Sequence, residues 1–181
     1  MSPRTLYVQV GLVGLVVASG SSSLAQQTPL TEKSTTYSTV AFPSADGLEI
    51  TADVYRPHEQ SSAPWIVLCH QAGWSRGEYR QIAPKLGKLG FNCLAIDQRS
   101  GKGVEGVPNE TAQRAAANGK GVTFVDAKQD LVAAAQFARK HYAQGKLLLW
   151  GSSYSAALAL RIAGERPELV DGVLAFAPGE Y

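Results

Sequence analysis

The sequence predicts an α/β fold built on a mainly parallel sheet with helices on both faces. Two observations carry this prediction. Short, continuous apolar runs typical of buried strands recur along the chain, and segments with helical spacing of apolar residues alternate with them. A hairpin signal precedes the first alternation, so the first strands are expected to be antiparallel to their neighbours.

The composition is that of one ordinary domain. The chain has 181 residues, 45% of them hydrophobic, with 17 Lys and Arg against 15 Asp and Glu. This length supports one domain, and the nearly balanced charge gives nucleic acid no basic surface to bind. Cys69 and Cys93 are too few for a disulfide framework and lack metal-ligand spacing. Both lie in apolar runs, so we expect two buried thiols and no metal site.

The first 25 residues have the pattern of a signal peptide. Arg4 supplies a basic start, residues 6–18 form an apolar run, and residues 23–25 (Ser-Leu-Ala) fit the small-residue cleavage rule before Gln26. The run is shorter than the roughly 20 residues that span a bilayer. We therefore expect export to the periplasm or the extracellular space, with no stable membrane anchor after cleavage. An uncleaved anchor is the alternative.

The elements of the predicted domain follow in chain order. Residues 26–35 are polar and are expected to form a flexible lead-in, and the domain covers residues 36–181. Strands are expected at residues 37–43, 48–56, 65–69, 91–96, 146–150 and 170–177, and helices around residues 79–89, 110–117, 127–142 and 153–164.

Local signals refine several of these boundaries. Asp46-Gly47 between the first two strands is a hairpin signal. Pro84 interrupts the first helical pattern, so that helix is expected to start late or to bend. Asn109 is expected to cap the second helix, and Asp126 with Gln129 resembles a capping box on the third.

The most informative segment is Gly151-Ser152-Ser153-Tyr154-Ser155, where an apolar strand runs into an Ala- and Leu-rich helix. It reads G-x-S-x-S, one residue away from the G-x-S-x-G nucleophile elbow. The neighbours of the central serine must be small because the backbone turns sharply there. The turn also places Ser153 at a helix N-terminus, where free N–H groups favour a developing anion. Ser153 is the predicted nucleophile; Ser152 in that role, or a serine that only caps the helix, is the alternative.

A turn of small residues, His70-Gln71-Ala72-Gly73, follows an earlier strand. An acyl-transfer serine enzyme needs two backbone N–H groups to hold the oxyanion. The N–H of Tyr154 is the predicted first donor and that of Ala72 the second, with Gln71 in reserve. His70 is expected to be structural, since the base in this arrangement comes from later in the chain.

These motifs resemble the α/β-hydrolase superfamily, and within it the dienelactone-hydrolase-like esterases and peptidases. The matching segments are the turn at residues 70–73, the strand and turn from Gly90 to Gly101, and the elbow at residues 151–155. Gln71 and Ser155 stand where glycine is usual. The resemblance implies hydrolysis of a small ester, thioester or amide through an acyl-serine, without a cofactor.

The partners that such a serine needs are incomplete in this sequence. The triad of the fold runs Ser, acid, His, yet His58, His70 and His141 all precede Ser153. Glu180 is the acid best placed by the sequence, and the C-terminal strands usual in the fold are missing. We therefore expect the chain to be the N-terminal part of a hydrolase, weak or inactive as it stands. No sequence feature favours a particular oligomeric state.

Other interpretations stay open. Gly101 to Gly106 is a literal G-x-G-x-x-G with Asp126 further on, which would suggest a dinucleotide-binding enzyme, but Val107-Pro108 interrupts the required run into a helix. A non-catalytic binding or remnant domain could use the same scaffold without a triad. A partner chain could also complete the site.

Overall fold

The computed structural model describes residues 37–179. That part of the chain contains strands β1 Ser38–Pro43, β2 Glu49–Tyr55, β3 Trp65–Cys69, β4 Asn92–Ile96, β5 Gly103–Val104, β6 Val107–Pro108, β7 Leu147–Ser152 and β8 Gly172–Phe176. Its α-helices are α1 Ala83–Lys88, α2 Glu110–Ala117, α3 Lys128–His141 and α4 Tyr154–Glu165, and a short 3₁₀ helix spans Arg76–Tyr79.

Six strands form one sheet in the order β1-β2-β4-β3-β7-β8, and β5 and β6 form a separate hairpin. The pairs β1–β2 and β2–β4 are antiparallel, whereas β4–β3, β3–β7 and β7–β8 are parallel. Each parallel pairing is reached through a crossover that contains a helix, as parallel strands require. The predicted mainly parallel sheet with an antiparallel beginning is confirmed.

Helices cover both faces of this sheet. The helices α3 and α4 pack on the face that includes Val67 and Leu149, and α1 with the 3₁₀ helix packs on the face that includes Ile66 and Leu68. All five residues of β3 are buried, because side chains of a central strand alternate between two covered faces. The sequence shows this as an unbroken apolar run.

The local signals of the sequence explain most element boundaries. Gly47 has a φ of 80° in the β1–β2 turn, a conformation that glycine adopts without strain. Pro84 lies in the first turn of α1, where its missing N–H costs nothing, so the helix starts late as expected. The Asn109 side chain accepts a hydrogen bond from the Ala112 N–H at 2.7 Å and caps α2. Cys69 and Cys93 are free and buried, also as expected.

The capping box expected at Asp126 and Gln129 is wrong. The Asp126 carboxylate turns back and accepts hydrogen bonds from the Thr123 N–H at 2.9 Å and the Thr123 hydroxyl at 2.6 Å. The helix α3 begins at Lys128 with no side-chain cap. Thr123 offers the carboxylate nearer donors than the helix does, and a local turn of this kind competes with capping.

The predicted signal peptide, the lead-in at residues 26–35 and Glu180 lie outside the described residues. None of the helices in residues 37–179 combines the length and the apolar character that a membrane span requires.

Candidate active site

The predicted site residues meet at the carboxyl end of the parallel strands. In the registers of β3 with its two neighbours, Cys69 lies beside Gly151 on one side and Ile96 on the other. The residues that follow these strands therefore emerge at the same edge. Ligand sites of open α/β sheets form at this edge, because the loops that leave it converge there.

Ser153 sits between the last residue of β7 and the first of α4, with a φ of 56° and a ψ of −122°. Its N–H donates to the Phe176 carbonyl oxygen at 2.9 Å, which ties the turn to the end of β8. Gly151 permits this turn, since a Cβ there would lie 2.4 Å from the Ser155 carbonyl oxygen. The turn thus has the sharp strand-to-helix geometry of a nucleophile elbow.

Ser155, which stands where glycine is usual, links the elbow to the turn after β3. Its hydroxyl donates to the His70 carbonyl oxygen at 2.5 Å and accepts a hydrogen bond from the Gln98 side-chain amide at 2.5 Å. The same amide donates to the Tyr154 hydroxyl at 2.7 Å. Gln98 is fully buried and was not among the sequence-predicted site residues. Gln98 follows β4, and this place at the carboxyl edge of the sheet was the only sequence feature that could have indicated its role.

The His70 ring is part of the scaffold beneath this site. Its Nδ1 lies 2.8 Å from the Gln71 carbonyl oxygen, and its Nε2 accepts a hydrogen bond from the Gln98 N–H at 3.0 Å. Complete burial lowers the pKa of His70 to about 4, although the hydrogen bond between its Nδ1 and the Gln71 carbonyl oxygen offsets part of the effect. The ring is therefore neutral at pH 7, in agreement with the structural role expected for it.

The turn after β3 is held at Gln71. The Gln71 carbonyl accepts a hydrogen bond from the Trp74 N–H at 3.3 Å, and Gly73 has a φ of 78°. The Gln71 N–H, which was the alternative to Ala72 as the second oxyanion donor, already donates a hydrogen bond to the Glu78 carboxylate at 2.8 Å. The Ala72 N–H makes no hydrogen bond with any other residue in 37–179, and Ala72 is exposed. Within this turn, Ala72 remains the candidate donor.

Arg76 fixes the 3₁₀ helix that follows this turn. Its guanidinium binds Asp97 at 2.6 Å, Glu110 at 2.8 Å and Asp53 at 3.2 Å, and the Arg76 N–H donates to Asp97 at 2.8 Å. These partners come from the end of β4, from α2 and from β2. The 3₁₀ helix and the Glu78 that it carries are thereby held against the sheet.

A family model described as serine aminopeptidase, S33, matches residues 60–180. The chain belongs to this family of α/β hydrolases. The match takes in the turn after β3 and the elbow.

Solved structures support the same fold for this S33-family chain. An esterase of Pyrococcus furiosus is 21% identical with a TM-score of 0.63, over 82% of this chain and 53% of that one. A dienelactone hydrolase of Anabaena variabilis is 20% identical with a TM-score of 0.62, over 79% and 63%. A carboxyl esterase of Bacillus coagulans is 17% identical with a TM-score of 0.59, over 76% and 43%. No curated protein sequence matches at a significant level.

The S33-family chain thus spans roughly half the length of these structures, with 43% to 63% of each covered. The three histidines lie apart from one another in the described part of the chain. The His58 Nε2 lies 2.8 Å from the Gly87 carbonyl oxygen, His70 lies under the elbow, and His141 packs on Phe137 in α3.

The glycine-rich segment of this S33-family chain is a hairpin. Gly103 pairs with Pro108 and Val104 with Val107, and the turn between them has φ values of 52° at Glu105 and 70° at Gly106. Two positive φ values are the mark of a type I′ hairpin turn. Because α2 begins only at Glu110, no helix N-terminus meets the glycines, and the dinucleotide-binding hypothesis loses its structural basis.

Residues 37–179 contain no group of three or more His, Cys, Asp or Glu side chains arranged to hold a metal ion.

Proposed function

We propose that this chain carries the nucleophile and the oxyanion hole of a serine hydrolase that acts on a small ester, thioester or amide. The observation that supports this most strongly is the strained strand-to-helix turn at Ser153, with its φ of 56°. Strain of this kind persists where the surrounding structure enforces it, and it is concentrated at functional sites. A serine that only caps a helix has an extended backbone, with a negative φ.

The reaction uses Ser153 as the attacking group. A base takes the Ser153 hydroxyl proton as its oxygen attacks the carbonyl carbon, and the oxyanion accepts hydrogen bonds from the Ala72 and Tyr154 N–H groups. Collapse of this intermediate expels the leaving group, which takes up the proton, and leaves an acyl-serine. Water then attacks the acyl-serine with the same assistance and releases the acid.

The base is the group that this sequence does not provide after Ser153. A serine hydroxyl without a base is a weak nucleophile at neutral pH. We therefore propose that the 181-residue chain by itself turns over slowly or not at all. Glu180 stays the predicted acid.

Labelling with a fluorophosphonate probe tests the role of Ser153, with imidazole added as an external base. We expect covalent labelling that rises with imidazole concentration, is abolished in Ser153→Ala and persists in the neighbouring control Ser152→Ala. Peptide mass spectrometry identifies the labelled residue.

A non-catalytic binding or remnant domain is the competing proposal. It predicts a folded chain whose labelling is absent, or is the same in wild type and Ser153→Ala. Either result would contradict the hydrolase proposal.

A further inference from the structure

A network of buried hydrogen bonds ties the first turn of α4 to two neighbouring turns. The Gln98 side-chain amide donates to the Tyr154 hydroxyl at 2.7 Å and to the Ser155 hydroxyl at 2.5 Å. Each hydroxyl then donates to a backbone carbonyl oxygen, Tyr154 to that of Ser100 at 3.2 Å and Ser155 to that of His70 at 2.5 Å. Both amide hydrogens and both hydroxyl hydrogens are therefore used.

The side chains of this network are closed to solvent. Gln98, Tyr154 and Ser155 are all fully buried. A buried amide or hydroxyl that loses its partner costs free energy, because no water replaces the lost bond. The network therefore acts as a firm connection between α4, the turn after β3 and the turn after β4.

This connection joins the two segments that carry the proposed oxyanion donors. The Tyr154 N–H belongs to the first residue of α4, and Ser155 is the next residue. The Ala72 N–H lies two residues after His70, whose carbonyl oxygen accepts the hydrogen bond from the Ser155 hydroxyl. The His70 ring is held from the same side, because its Nε2 accepts a hydrogen bond from the Gln98 N–H at 3.0 Å. The two donor segments thus meet through Ser155 and Gln98.

We infer that Ser155 and Gln98 are positioning residues that set the separation of the Ala72 and Tyr154 N–H groups. This inference rests on the proposed function. Both N–H groups must reach one oxyanion at once, within about 2.7–3.1 Å, so a small change in their separation weakens its stabilisation. A glycine at position 155, usual in the related elbows, offers no hydroxyl to the His70 carbonyl oxygen. Ser155 therefore contributes a bond that such an elbow lacks.

Ser155→Gly tests whether this bond matters for the reaction. If the serine is only a small residue that the turn tolerates, the change to glycine leaves hydrolysis unchanged or makes it faster. If Ser155 positions the oxyanion hole, we expect kcat to fall roughly tenfold with little change in KM, because the oxyanion forms only after the attack. The assay uses p-nitrophenyl butanoate with imidazole as external base, and the rate with Ser153→Ala is subtracted as background.

A thiono analogue of the same ester distinguishes positioning from a loss of folded protein. Sulfur replaces the carbonyl oxygen of this analogue and is a weak hydrogen-bond acceptor, so the thiono ester gains little from the oxyanion hole. We expect the wild-type chain to favour the oxygen ester, and Ser155→Gly to lower that preference roughly tenfold. Partial unfolding would lower both rates equally and leave their ratio unchanged.

Further variants assign the preference to the network. Gln98→Met keeps the shape of the side chain without its N–H donors and should lower the same ratio. Because both residues act through one network, the double variant with Ser155→Gly should lose little more than either single variant. Ser155→Ala, which has a higher helix propensity, should behave as Ser155→Gly. Ser61→Ala, in the exposed loop after β2, removes a hydroxyl elsewhere and should leave the ratio at its wild-type value.

A measurement without substrate separates this inference from the proposed function. Backbone nitrogen relaxation in the Ser153→Ala background reports the order parameter of the Ala72 N–H. Ser155→Gly should lower this order parameter, whereas Ser61→Ala should not. If the wild-type chain hydrolyses neither ester but the order of Ala72 depends on Ser155, the positioning is supported and the hydrolase proposal fails. An unchanged ester preference in Ser155→Gly would overturn the inference, and so would an Ala72 order parameter that does not respond to this variant.

Discussion

Ser153 stores backbone strain that its neighbours sustain. A non-glycine residue at φ 56° and ψ −122° lies outside the conformations that L-residues favour, at a cost of about 1–3 kcal/mol. The conformation persists because β7, α4 and the bond to the Phe176 carbonyl oxygen together fix the turn. The contacts that position Ser153 are therefore the same contacts that hold its strained backbone.

Replacing Ser153 with glycine should release this strain. We expect Ser153→Gly to exceed Ser153→Ala by about 1 kcal/mol in free energy of unfolding, after the larger entropy loss of glycine is subtracted. Urea denaturation monitored by circular dichroism measures the difference. Ala157→Gly within α4 is the matched control and should lose about 1 kcal/mol relative to wild type. A Ser153→Gly protein less stable than Ser153→Ala would show that the turn is unstrained.

His70 makes the stability of the chain depend on pH. Its pKa falls from 6.5 to about 4 on folding, because the buried ring is costly to charge. Between these values the unfolded chain binds a proton that the native chain does not, so stability decreases as pH falls. The contribution is complete above about pH 6.5, and up to about 3 kcal/mol is lost by pH 4.

Nuclear magnetic resonance can follow the protonation of the His70 ring directly. We expect the His70 imidazole to stay neutral at pH 5 and to titrate near pH 4, or only as the chain unfolds. The decrease in unfolding free energy between pH 7 and pH 4.5 should be smaller in His70→Asn than in wild type. A His70 midpoint near 6.5 in the folded protein would contradict the assignment.

At the scale of elements, a buried ion pair ties α3 to the sheet. Arg99, 1% exposed, donates to Asp130 of α3 through Nη2 at 2.7 Å and through its backbone N–H at 2.8 Å. Its Nη1 donates to Asp46 in the β1–β2 turn at 2.9 Å. One side chain therefore joins the end of β4, the third helix and the first hairpin.

Arg99→Met should break this junction. The variant leaves the fully buried Asp130 carboxylate without its guanidinium, and we expect a loss of about 3–5 kcal/mol in unfolding free energy. The double variant Arg99→Met, Asp130→Leu should recover part of the loss, since no uncompensated charge remains. Arg56→Met, which removes an exposed pair with Glu59, should have little effect. Thermal and urea denaturation report all three, and equal stability of the single variant and wild type would rule out the junction.

At the scale of the whole molecule, the sequence predicted those features that depend on residues close together in the chain. The apolar runs, the Asp46-Gly47 turn and the Asn109 cap are all decided within a few positions, and the structure has them where expected. The Asp126 cap failed at the same short range, because Thr123 offered a closer donor. The motif was enough to predict the turn at Ser153.

Contacts between distant segments could not be predicted in this way. The bonds of Gln98 to Tyr154 and Ser155 exist only because β4 and β7 flank β3 in the sheet. The bond from the Ser153 N–H to the Phe176 carbonyl oxygen likewise depends on the register that sets Phe176 beside Ser152. Apart from its place after β4, Gln98 carries no local signal of such neighbours, so the sequence could not indicate these bonds.

The position of β7 between β3 and β8 governs the order in which the chain acquires its structure during synthesis. The β1–β2 hairpin closes locally and one edge of β3 pairs with β4, but the other edge of β3 must wait for β7, its partner from Trp65 with Leu147 onward. Long-range pairings of this kind are slow, because loop closure costs entropy before contacts repay it. Until β7 leaves the ribosome, β3 presents an open apolar edge that invites pairing with other nascent chains. Binding of chaperones to the nascent chain should therefore be greatest just before β7, the strand that leads to Ser153, emerges from the ribosome.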